Sequence, residues 1–296
     1  MPAARVEQAP AKINLTLRVI ARRCDGYHDI ESLVAFAGVG DTVSFTPGGH
    51  LALLVRGPAA AACGSIADNL VLKTVCALVD RVGGLKLGRF LLSKRLPVAA
   101  GLGGGSSDAA AALRLLARVN RLARDDTRLM QAARATGADV PVCLDPRPRL
   151  MRGIGDILSD PLPLPPLSVI LVNPGVMLAT RNVFASLRVV RPPKARFGWQ
   201  GERTGLVDAL AASGNDLEEP AIRLAPVVGE VLAALRASPG CRIARMSGSG
   251  ATCFGLFERA GAASAAARLL RAKHPSWWVR ATRLVEPRTQ QLSSIG

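Results

Sequence analysis

PVAAGLGGGSSDAAAAL, from Pro97 to Leu113, is the most informative segment of this chain. Glycines at positions 101, 103, 104 and 105 precede two serines, and a run of strong helix formers follows. A glycine-rich loop that opens into a helix leaves the first N–H groups of the helix without partners, and it allows a phosphate chain to approach the backbone closely. The segment therefore predicts a phosphate-binding loop and a helix that starts near Ser106 and ends near Ala123.

This loop differs from two common nucleotide-binding motifs. It lacks the Gly-Lys-Ser/Thr ending of a Walker A loop, and the serine at position 106 breaks a GxGxxG pattern. The hydroxyl groups of Ser106 and Ser107 can cap the helix or reach a phosphate or a metal ion. The alternative is a flexible turn capped by Ser106, but so many glycines and serines within seven residues favour the phosphate loop.

Composition and patterning restrict the class of protein. The 296 residues are 49% hydrophobic, which supports a core for one large domain or two ordinary ones and excludes disorder for most of the length. Charged residues interrupt the first twenty positions, and no run of eighteen apolar residues follows, so we expect a cytoplasmic protein without a membrane partner. Six cysteines without CxxC spacing are expected to be reduced and mostly buried.

A formal net charge of +16 raises the possibility of a nucleic-acid partner. The basic residues are scattered, however, and binding to a phosphate backbone needs clustered positive charge. Aromatic residues make up only 4% of the chain, so stacking platforms for bases are scarce. We therefore expect no nucleic acid and a small polyanion as ligand, and a non-enzymatic RNA-binding protein is the weaker alternative.

Periodicity predicts strands and helices without regular βαβ order. Alternation from Lys12 to Val19 predicts a half-buried strand with a polar face, and a helix capped by Asp68 is expected to end at Gly83. Four prolines between Pro161 and Pro166 place a domain boundary near residue 160, which gives domains 1–160 and 161–296. Further strands are expected at 41–46, 51–56, 85–94, 169–172, 242–247, 252–257 and 277–282, and helices at 126–135, 218–237 and 262–273. The predicted class is α+β with antiparallel or mixed sheets.

Three positions outside the loop are candidates for chemistry. Lys12 lies beside Asn14 on the polar face of the first strand, although the strand alone favours a solvated lysine. Asp139 follows a Gly-Ala turn and leads into a predicted apolar strand, where an aspartate more often closes a turn. Tyr27 and His28 lie in a glycine-containing loop and can stack on a base or sugar, although packing at a turn is the commoner explanation. MSGSGATCFGLF, 246–257, predicts a hairpin with close backbone approach.

Together these segments resemble the GHMP kinases, named for galactokinase, homoserine kinase, mevalonate kinase and phosphomevalonate kinase. The three motifs of that superfamily occur in order as APAKINLTLRV, GLGGGSSDAA and MSGSGATCFGLF. The segments DGYH, GADVPV and PGVMLATRNVF are similar to those of members that act on a diphosphocytidyl-linked alcohol. The resemblance implies an N-terminal ATP-binding domain like domain 2 of ribosomal protein S5, a ferredoxin-like C-terminal domain, and an active site in the cleft between them.

The resemblance also implies a reaction and residue roles. ATP, with Mg²⁺ on ligands that remain unknown, phosphorylates the 2-hydroxyl of the cytidyl substrate for isoprenoid synthesis, in a monomer or homodimer. Asp139 accepts the hydroxyl proton and Lys12 pairs with it. Tyr27, Phe184 and His28 bind the cytosine, and Asn14 and Thr180 contact the rest of the substrate. ATP contacts Pro97, Val98, Ala99, Ala100, Gly101, Leu102, Gly103, Gly104, Gly105, Ser106, Ser107, Asn69 and Lys94. A homoserine- or mevalonate-type kinase is the alternative within the superfamily, and the DGYH loop argues against it.

Overall fold

The protein is represented by a computed structural model that describes residues 4–187 and 205–284. Its larger sheet has seven strands: β1 (Arg5–Asn14), β2 (Arg18–Arg22), β3 (His28–Pro47), β4 (Ala52–Arg56), β5 (Gly88–Ser93), β6 (Arg149–Gly153) and β7 (Ile157–Leu158). The order β4-β5-β3-β6-β7 forms the main path, and β1 and β2 also pair with β3. Only β4 and β5 pair in parallel, so the sheet is mixed and the long strand β3 joins most of it together.

The smaller sheet consists of β8 (Ser168–Asn173), β9 (Cys241–Met246), β10 (Cys253–Phe257) and β11 (Trp278–Arg283). Its order is β11-β8-β10-β9, and every pairing is antiparallel. The last strand of the larger sheet ends at Leu158 and the first strand of the smaller one begins at Ser168. The expected α+β class is confirmed, and the domain boundary near residue 160 stays a prediction.

Nine α-helices occur in the described part of the chain: α1 (Leu70–Val79), α2 (Gly104–Asn120), α3 (Thr127–Thr136), α4 (Val140–Leu144), α5 (Thr180–Ala185), α6 (Leu206–Ala212), α7 (Glu218–Leu224), α8 (Val227–Arg236) and α9 (Ala260–Lys273). The expected cap of α1 is wrong by one position, because Asn69, rather than Asp68, accepts the N–H of Val71 at 3.0 Å. The single helix expected at 218–237 is also wrong. Ala225 leaves helical geometry before Pro226, as residues before proline commonly do. No helix in the described residues is both long and apolar enough to cross a bilayer.

The predicted strand from Lys12 to Val19 is interrupted after β1. Leu17 donates its N–H to the carbonyl of Gly214 at 2.9 Å, so the chain leaves the larger sheet here and contacts the second half of the molecule. The polar face of the strand is not solvated either, since Lys12, Asn14 and Thr16 are all buried. Asn14 lies against the second half of the chain, since its backbone N–H donates to Ser247 Oγ, whereas Lys12 lies against the glycine-rich loop at Gly103. The alternation of the strand predicts neither contact.

Three hydrophobic clusters form the core. One lies between the larger sheet and α1 to α3, and a second packs the smaller sheet against α7 to α9. The third joins the two sheets and includes Ile13 and Leu33 from the first half and Leu171 and Phe254 from the second. This shared apolar contact packs the two sheets against each other.

The six cysteines are free thiols, but they differ in exposure. Cys143 and Cys253 are buried, whereas Cys24 and Cys76 are exposed. The expectation of mostly buried thiols is therefore wrong, because the helix and loop that carry the exposed pair present these positions to solvent.

Candidate active site

The glycine-rich loop ends where helix α2 begins. Gly103 is the N-cap residue, with a φ of 59°, and no side chain caps the helix. Helix α2 starts at Gly104, so Ser106 lies inside the first turn and the alternative of a Ser106-capped turn is wrong. The first N–H groups of the helix are thus available to an anion, and the helix dipole favours negative charge at this end.

Two loop positions require glycine for different reasons. At Gly101 a Cβ atom would lie 2.3 Å from the carbonyl oxygen of Ser247, and φ is 72°, a region that L side chains rarely adopt. At Gly103 a Cβ atom would lie 3.0 Å from Lys12 Cε and 3.9 Å from Asp139 Oδ2. The backbone of the loop therefore passes directly beside a lysine and an aspartate.

Lys12 and Asp139 form an ion pair with 2.9 Å between Nζ and Oδ2. The Lys12 side chain is 5% exposed and that of Asp139 is 36% exposed, so the carboxylate is open to a ligand while the amine is held inside. The strand expected after Asp139 is wrong: Val140 to Leu144 form the short helix α4, and Asp139 is its N-cap residue. Pro141 fits the first turn of a helix because that turn needs no N–H from it.

Asn14 connects this ion pair to its surroundings. Its Oδ1 accepts a hydrogen bond from Lys12 Nζ at 3.1 Å, and its Nδ2 donates to Ser32 Oγ at 2.8 Å. Its backbone N–H donates to Ser247 Oγ at 3.1 Å. All these groups are buried, so Asn14 restricts the rotamers of Lys12 and aims its amine at Asp139.

The glycine-serine turn of the second half completes the site. It is the predicted hairpin turn, since it joins the antiparallel strands β9 and β10. Ser247 Oγ donates to the carbonyl of Gly101 at 2.8 Å, and the N–H of Thr252 donates to the carbonyl of Ala100 at 3.1 Å. Asn215 Nδ2 also stabilises the turn, because it donates hydrogen bonds to the carbonyls of Met246 and Gly248, each at 2.8 Å. The sequence interpretation missed Ser247 and Asn215 as site residues, although the MSGSG motif marked the turn.

Lys94 lies behind the loop rather than on its open side. Its Nζ is 2.6 Å from Asp41 Oδ2 and 2.6 Å from Asp108 Oδ2, and all three side chains are buried. Burial lowers the pKa of Lys94, but the two carboxylates outweigh this effect and the pKa is raised. The contact of Lys94 with ATP stays a prediction, and its two acidic partners were not found from the sequence.

The residues assigned to the cytosine lie near the start of β3 and on α5. The rings of His28 and Phe184 stack with 4.9 Å between centroids. Tyr27, which precedes His28 in the chain, is 59% exposed. Burial, with a contribution from the positive charge of Arg22, lowers the pKa of His28. Thr180 Oγ1 lies 2.9 Å from Ser249 Oγ, which ties α5 to the glycine-serine turn.

Comparison with known proteins identifies the family. The model of the GHMP kinases N terminal domain matches residues 69–145, and that of the GHMP kinases C terminal matches residues 202–276. The chain is 56% identical to the 4-diphosphocytidyl-2-C-methyl-D-erythritol kinase of Xanthobacter autotrophicus, in an alignment that covers 94% of this chain and 98% of that protein. The chain belongs to the 4-diphosphocytidyl-2-C-methyl-D-erythritol kinase family of GHMP kinases. The kinase of the same name from Bradyrhizobium diazoefficiens is 52% identical over 95% of this chain and 98% of its own length.

Solved structures agree with this assignment. A crystal structure of 4-(cytidine 5'-diphospho)-2C-methyl-D-erythritol kinase superimposes on this GHMP kinase with a TM-score of 0.77 and 35% sequence identity, and covers 94% of this chain and 98% of that one. A homoserine kinase from Cytophaga hutchinsonii has a TM-score of 0.73 at 19% identity, over 97% of each chain, and so shares the fold alone. The GHMP architecture expected from the motifs is confirmed.

Proposed function

We propose that this GHMP kinase transfers the γ-phosphoryl group of ATP to the 2-hydroxyl of 4-diphosphocytidyl-2-C-methyl-D-erythritol, a step toward isoprenoid precursors. One observation carries the proposal. The Lys12–Asp139 ion pair lies against the backbone of the glycine-rich loop at Gly103. A phosphoryl donor on the loop and a proton acceptor for the alcohol would therefore meet at one place.

In this reaction Asp139 accepts the proton of the attacking hydroxyl group. The oxygen forms a bond to the γ-phosphorus, the bond from that phosphorus to the β,γ-bridging oxygen breaks, and ADP leaves with the electron pair. Lys12, 2.9 Å from the carboxylate, holds the carboxylate in position and offsets the negative charge that develops on the transferred group. Because phosphoryl transfer depends mainly on position and electrostatics, a held lysine and an open carboxylate suit the task.

ATP is assigned to the loop from Pro97 to Ser107. Its phosphate oxygens accept hydrogen bonds from the uncapped N–H groups of the first turn of α2. The hydroxyl of Ser107 is buried and has no hydrogen-bond partner among the described residues. Asn69 is assigned to the nucleotide side as well, at the start of α1.

A magnesium ion bound with ATP fits the donor groups present here. No group of three or more His, Cys, Asp or Glu side chains in the described residues could hold a metal alone. Mg²⁺ commonly binds through one or two protein oxygens together with substrate phosphates and water. The Ser106 hydroxyl and the Asp139 carboxylate are the groups we assign to it, and the ion would supply charge neutralisation for the phosphates.

The cytidyl end of the substrate is assigned to the aromatic residues. Tyr27 and Phe184 stack on the two faces of the cytosine, and His28 reads its edge. Because its pKa is lowered, His28 is neutral at physiological pH, and one ring nitrogen donates while the other accepts. Asn14 and Thr180 are assigned to the erythritol and pyrophosphate groups.

We further propose a cytoplasmic location and a monomer or homodimer. The phosphoryl donor is a cytoplasmic metabolite, and both substrates are polyanions. The formal net charge of +16 raises their local concentration near the protein, although no individual arginine is assigned to this effect.

A coupled assay of ADP release tests the function directly. The cytidyl alcohol should support turnover with ATP, whereas mevalonate and homoserine should not. CDP should inhibit in competition with the cytidyl alcohol. Turnover with mevalonate or homoserine, together with no effect of CDP, would assign the protein to another GHMP kinase activity.

Tyr27→Ala tests the stacking assignment. The KM for the cytidyl alcohol should rise about tenfold or more, since base–aromatic stacking contributes roughly 1 to 3 kcal/mol, and the KM for ATP should stay unchanged. Ile157→Ala is a matched control, because Ile157 is also 59% exposed and lies in β7 at the edge of the larger sheet. Equal changes in both KM values would remove Tyr27 from the cytosine site.

A further inference from the structure

Asn215 lies between the two halves of the molecule, in the segment that joins α6 to α7. The backbone of this segment pairs with the chain between β1 and β2. Leu17 donates its N–H to the carbonyl of Gly214, and Asp216 donates its N–H to the carbonyl of Leu17, each at 2.9 Å. The carboxylate of Asp216 accepts the N–H of Val19 in β2 at 2.8 Å. The backbone around Asn215 is thereby fixed to the first half of the chain.

The side chain of Asn215 reaches the second half. Its Nδ2 group donates to the carbonyls of Met246 and Gly248, which flank Ser247 in the glycine-serine turn. Its Oδ1 atom accepts the N–H of Leu217 at 3.0 Å. The residue is buried, so these bonds replace the water that its amide would otherwise bind. An aspartate or a serine keeps the acceptor oxygen but cannot supply both donors, so the position needs an asparagine.

The glycine-serine turn contacts both parts of the candidate active site. Ser247 Oγ accepts the N–H of Asn14 and donates to the carbonyl of Gly101, so its hydroxyl hydrogen is already in use. A Cβ atom on Gly248 would lie 3.2 Å from Asn14 Oδ1 and 3.2 Å from the carbonyl oxygen of Gly101. Asn14 Oδ1 in turn accepts a hydrogen bond from Lys12 Nζ. A displacement of the turn would therefore release the glycine-rich loop and the lysine together.

We propose that Asn215 is a positioning residue for phosphoryl transfer, which holds the glycine-serine turn where it aligns the glycine-rich loop with the Lys12–Asp139 ion pair. Because Asn215 is buried and bonded to the turn, it acts through Ser247 rather than on a substrate. Phosphoryl transfer depends mainly on position, so a loosened turn slows transfer more than it weakens substrate binding. The inference rests on the proposed function.

The variants Asn215→Asp and Asn215→Ser test the proposal, since both keep an acceptor for the N–H of Leu217 and lose the pair of donors to the turn. In the assay of ADP release, kcat per folded molecule should fall about 10- to 100-fold, as expected for a small displacement of reacting groups. The KM for the cytidyl alcohol should stay within about twofold of the wild type, because ground-state binding is retained. Asn215→Ser places no charge against the two carbonyls, so it decides the matter where Asn215→Asp does not fold. An unchanged kcat would overturn the proposal.

Asn120, the last residue of α2, offers a matched control. Its Nδ2 also donates to two carbonyls, those of Lys86 at 3.3 Å and Leu116 at 3.0 Å, and its Oδ1 accepts the N–H of Lys86 at 2.6 Å. Asn120→Ser should therefore lower Tm and leave kcat unchanged. An equal fall of kcat in Asn120→Ser and Asn215→Ser would show that lost stability, rather than lost position, is the cause, and the proposal would be wrong.

A double-mutant cycle with Ser247→Ala tests the route of the effect. If Asn215 acts through Ser247, the fall of kcat in the double variant should be smaller than the product of the two single falls, because contacting residues on one path are not independent. Single falls that multiply would contradict this route.

Hydrogen exchange gives a readout that needs no turnover. The N–H of Asn14, whose acceptor is Ser247 Oγ, should exchange about tenfold faster in Asn215→Ser than in Asn120→Ser, because the turn that holds it opens more often. Equal exchange rates in the two variants would overturn the proposal. A wild type without turnover on the cytidyl alcohol would contradict the proposed function instead, and the exchange rates would still decide the role of Asn215.

Discussion

Two lysine–aspartate sites contact the same glycine-rich loop from different sides, and they differ mainly in their acids. A Cβ atom at Gly103 would meet Lys12, and one at Gly104 would meet Lys94. Both lysines are buried to the same degree, at 5% and 4% exposure. Asp139 is 36% exposed, whereas Asp41 is completely buried. The exposure of the carboxylate, rather than that of the lysine, separates a site that can reach a substrate from one that cannot.

This difference has an energetic consequence. An open carboxylate keeps part of its hydration and can exchange water for a ligand, so its ion pair adds little to stability. Sealed carboxylates lose that hydration, and they depend on the lysine and on backbone N–H groups to remain buried. The same residue types therefore form an open site on one side of the loop and a sealed one on the other.

The largest expected effect is on turnover, from Asp139→Asn. Because the amide cannot accept the hydroxyl proton, kcat should fall by about 10²- to 10⁴-fold, while the dissociation constant of ATP stays near that of the wild type. Asp126→Asn is a matched control, since Asp126 is also an aspartate at a helix N-cap, that of α3. It should leave kcat unchanged. Unchanged turnover in Asp139→Asn would mean that Asp139 is not the base and that the two sites are not divided as described.

A comparison of the two lysines should give a large difference in stability. Lys94→Met leaves two buried carboxylates without their cation and should lower the free energy of unfolding by about 3 to 5 kcal/mol. Lys12→Met leaves an acid that still reaches solvent, so it should cost about 1 kcal/mol while abolishing most of the turnover. Urea denaturation measures both. Equal losses of stability would contradict the distinction between an open site and a sealed one.

The smallest expected effect is the pH dependence of stability in Asp108→Asn. The pKa of Asp108 is raised by folding, so the folded wild type holds a proton that the unfolded chain has lost, and it loses stability as pH rises from about 4 through about 7. Asp108→Asn cannot bind this proton, so it lacks this loss of stability. Its free energy of unfolding relative to wild type should therefore rise by about 1 to 2 kcal/mol between pH 5 and pH 8.

Asp126→Asn again serves as control for this measurement. The hydrogen bonds and charge of Arg128 lower the pKa of Asp126, so its contribution to stability is lost only as pH falls through the acid range. The variant should thus show no pH dependence relative to wild type between pH 5 and pH 8. A parallel rise in both variants would show that Asp108 does not titrate in this window.

Local sequence predicted most elements well where a strong signal was confined to one segment. The alanine-rich helix α2 and the helix capped by Asp126 follow from propensity and capping alone. The short helix after Asp139 was missed because an apolar run in a buried segment does not distinguish helix from strand. The break before Pro226 was missed because the helical pattern continues across it, although residues before proline commonly leave helical geometry. The sequence thus predicted helix or strand correctly for the long periodic segments, and it was less reliable for the short buried ones.

The site was only partly accessible to sequence reasoning. The glycine-rich loop can be recognised from the sequence, since few functions besides phosphate binding need four glycines before a helix. Lys12 and Asp139 were ordinary residues on their own strands and turns, and the family resemblance was needed to connect them. Asp41 and Asp108 carried no signal at all, because a charged residue in a strand or an alanine-rich helix is usually assumed to face solvent.

The sequence by itself determined that this chain has a glycine-rich loop at a helix N-terminus and the motifs of a GHMP kinase, since glycine content and motif order are local properties. Only the tertiary structure decided which acids stay open to solvent and which are sealed behind the loop. Burial and hydration depend on what the rest of the chain places over a residue. Here the glycine-serine turn lies against Asn14, the glycine-rich loop lies against Lys12, and Asp41 is buried beside Lys94, while Asp139 stays open.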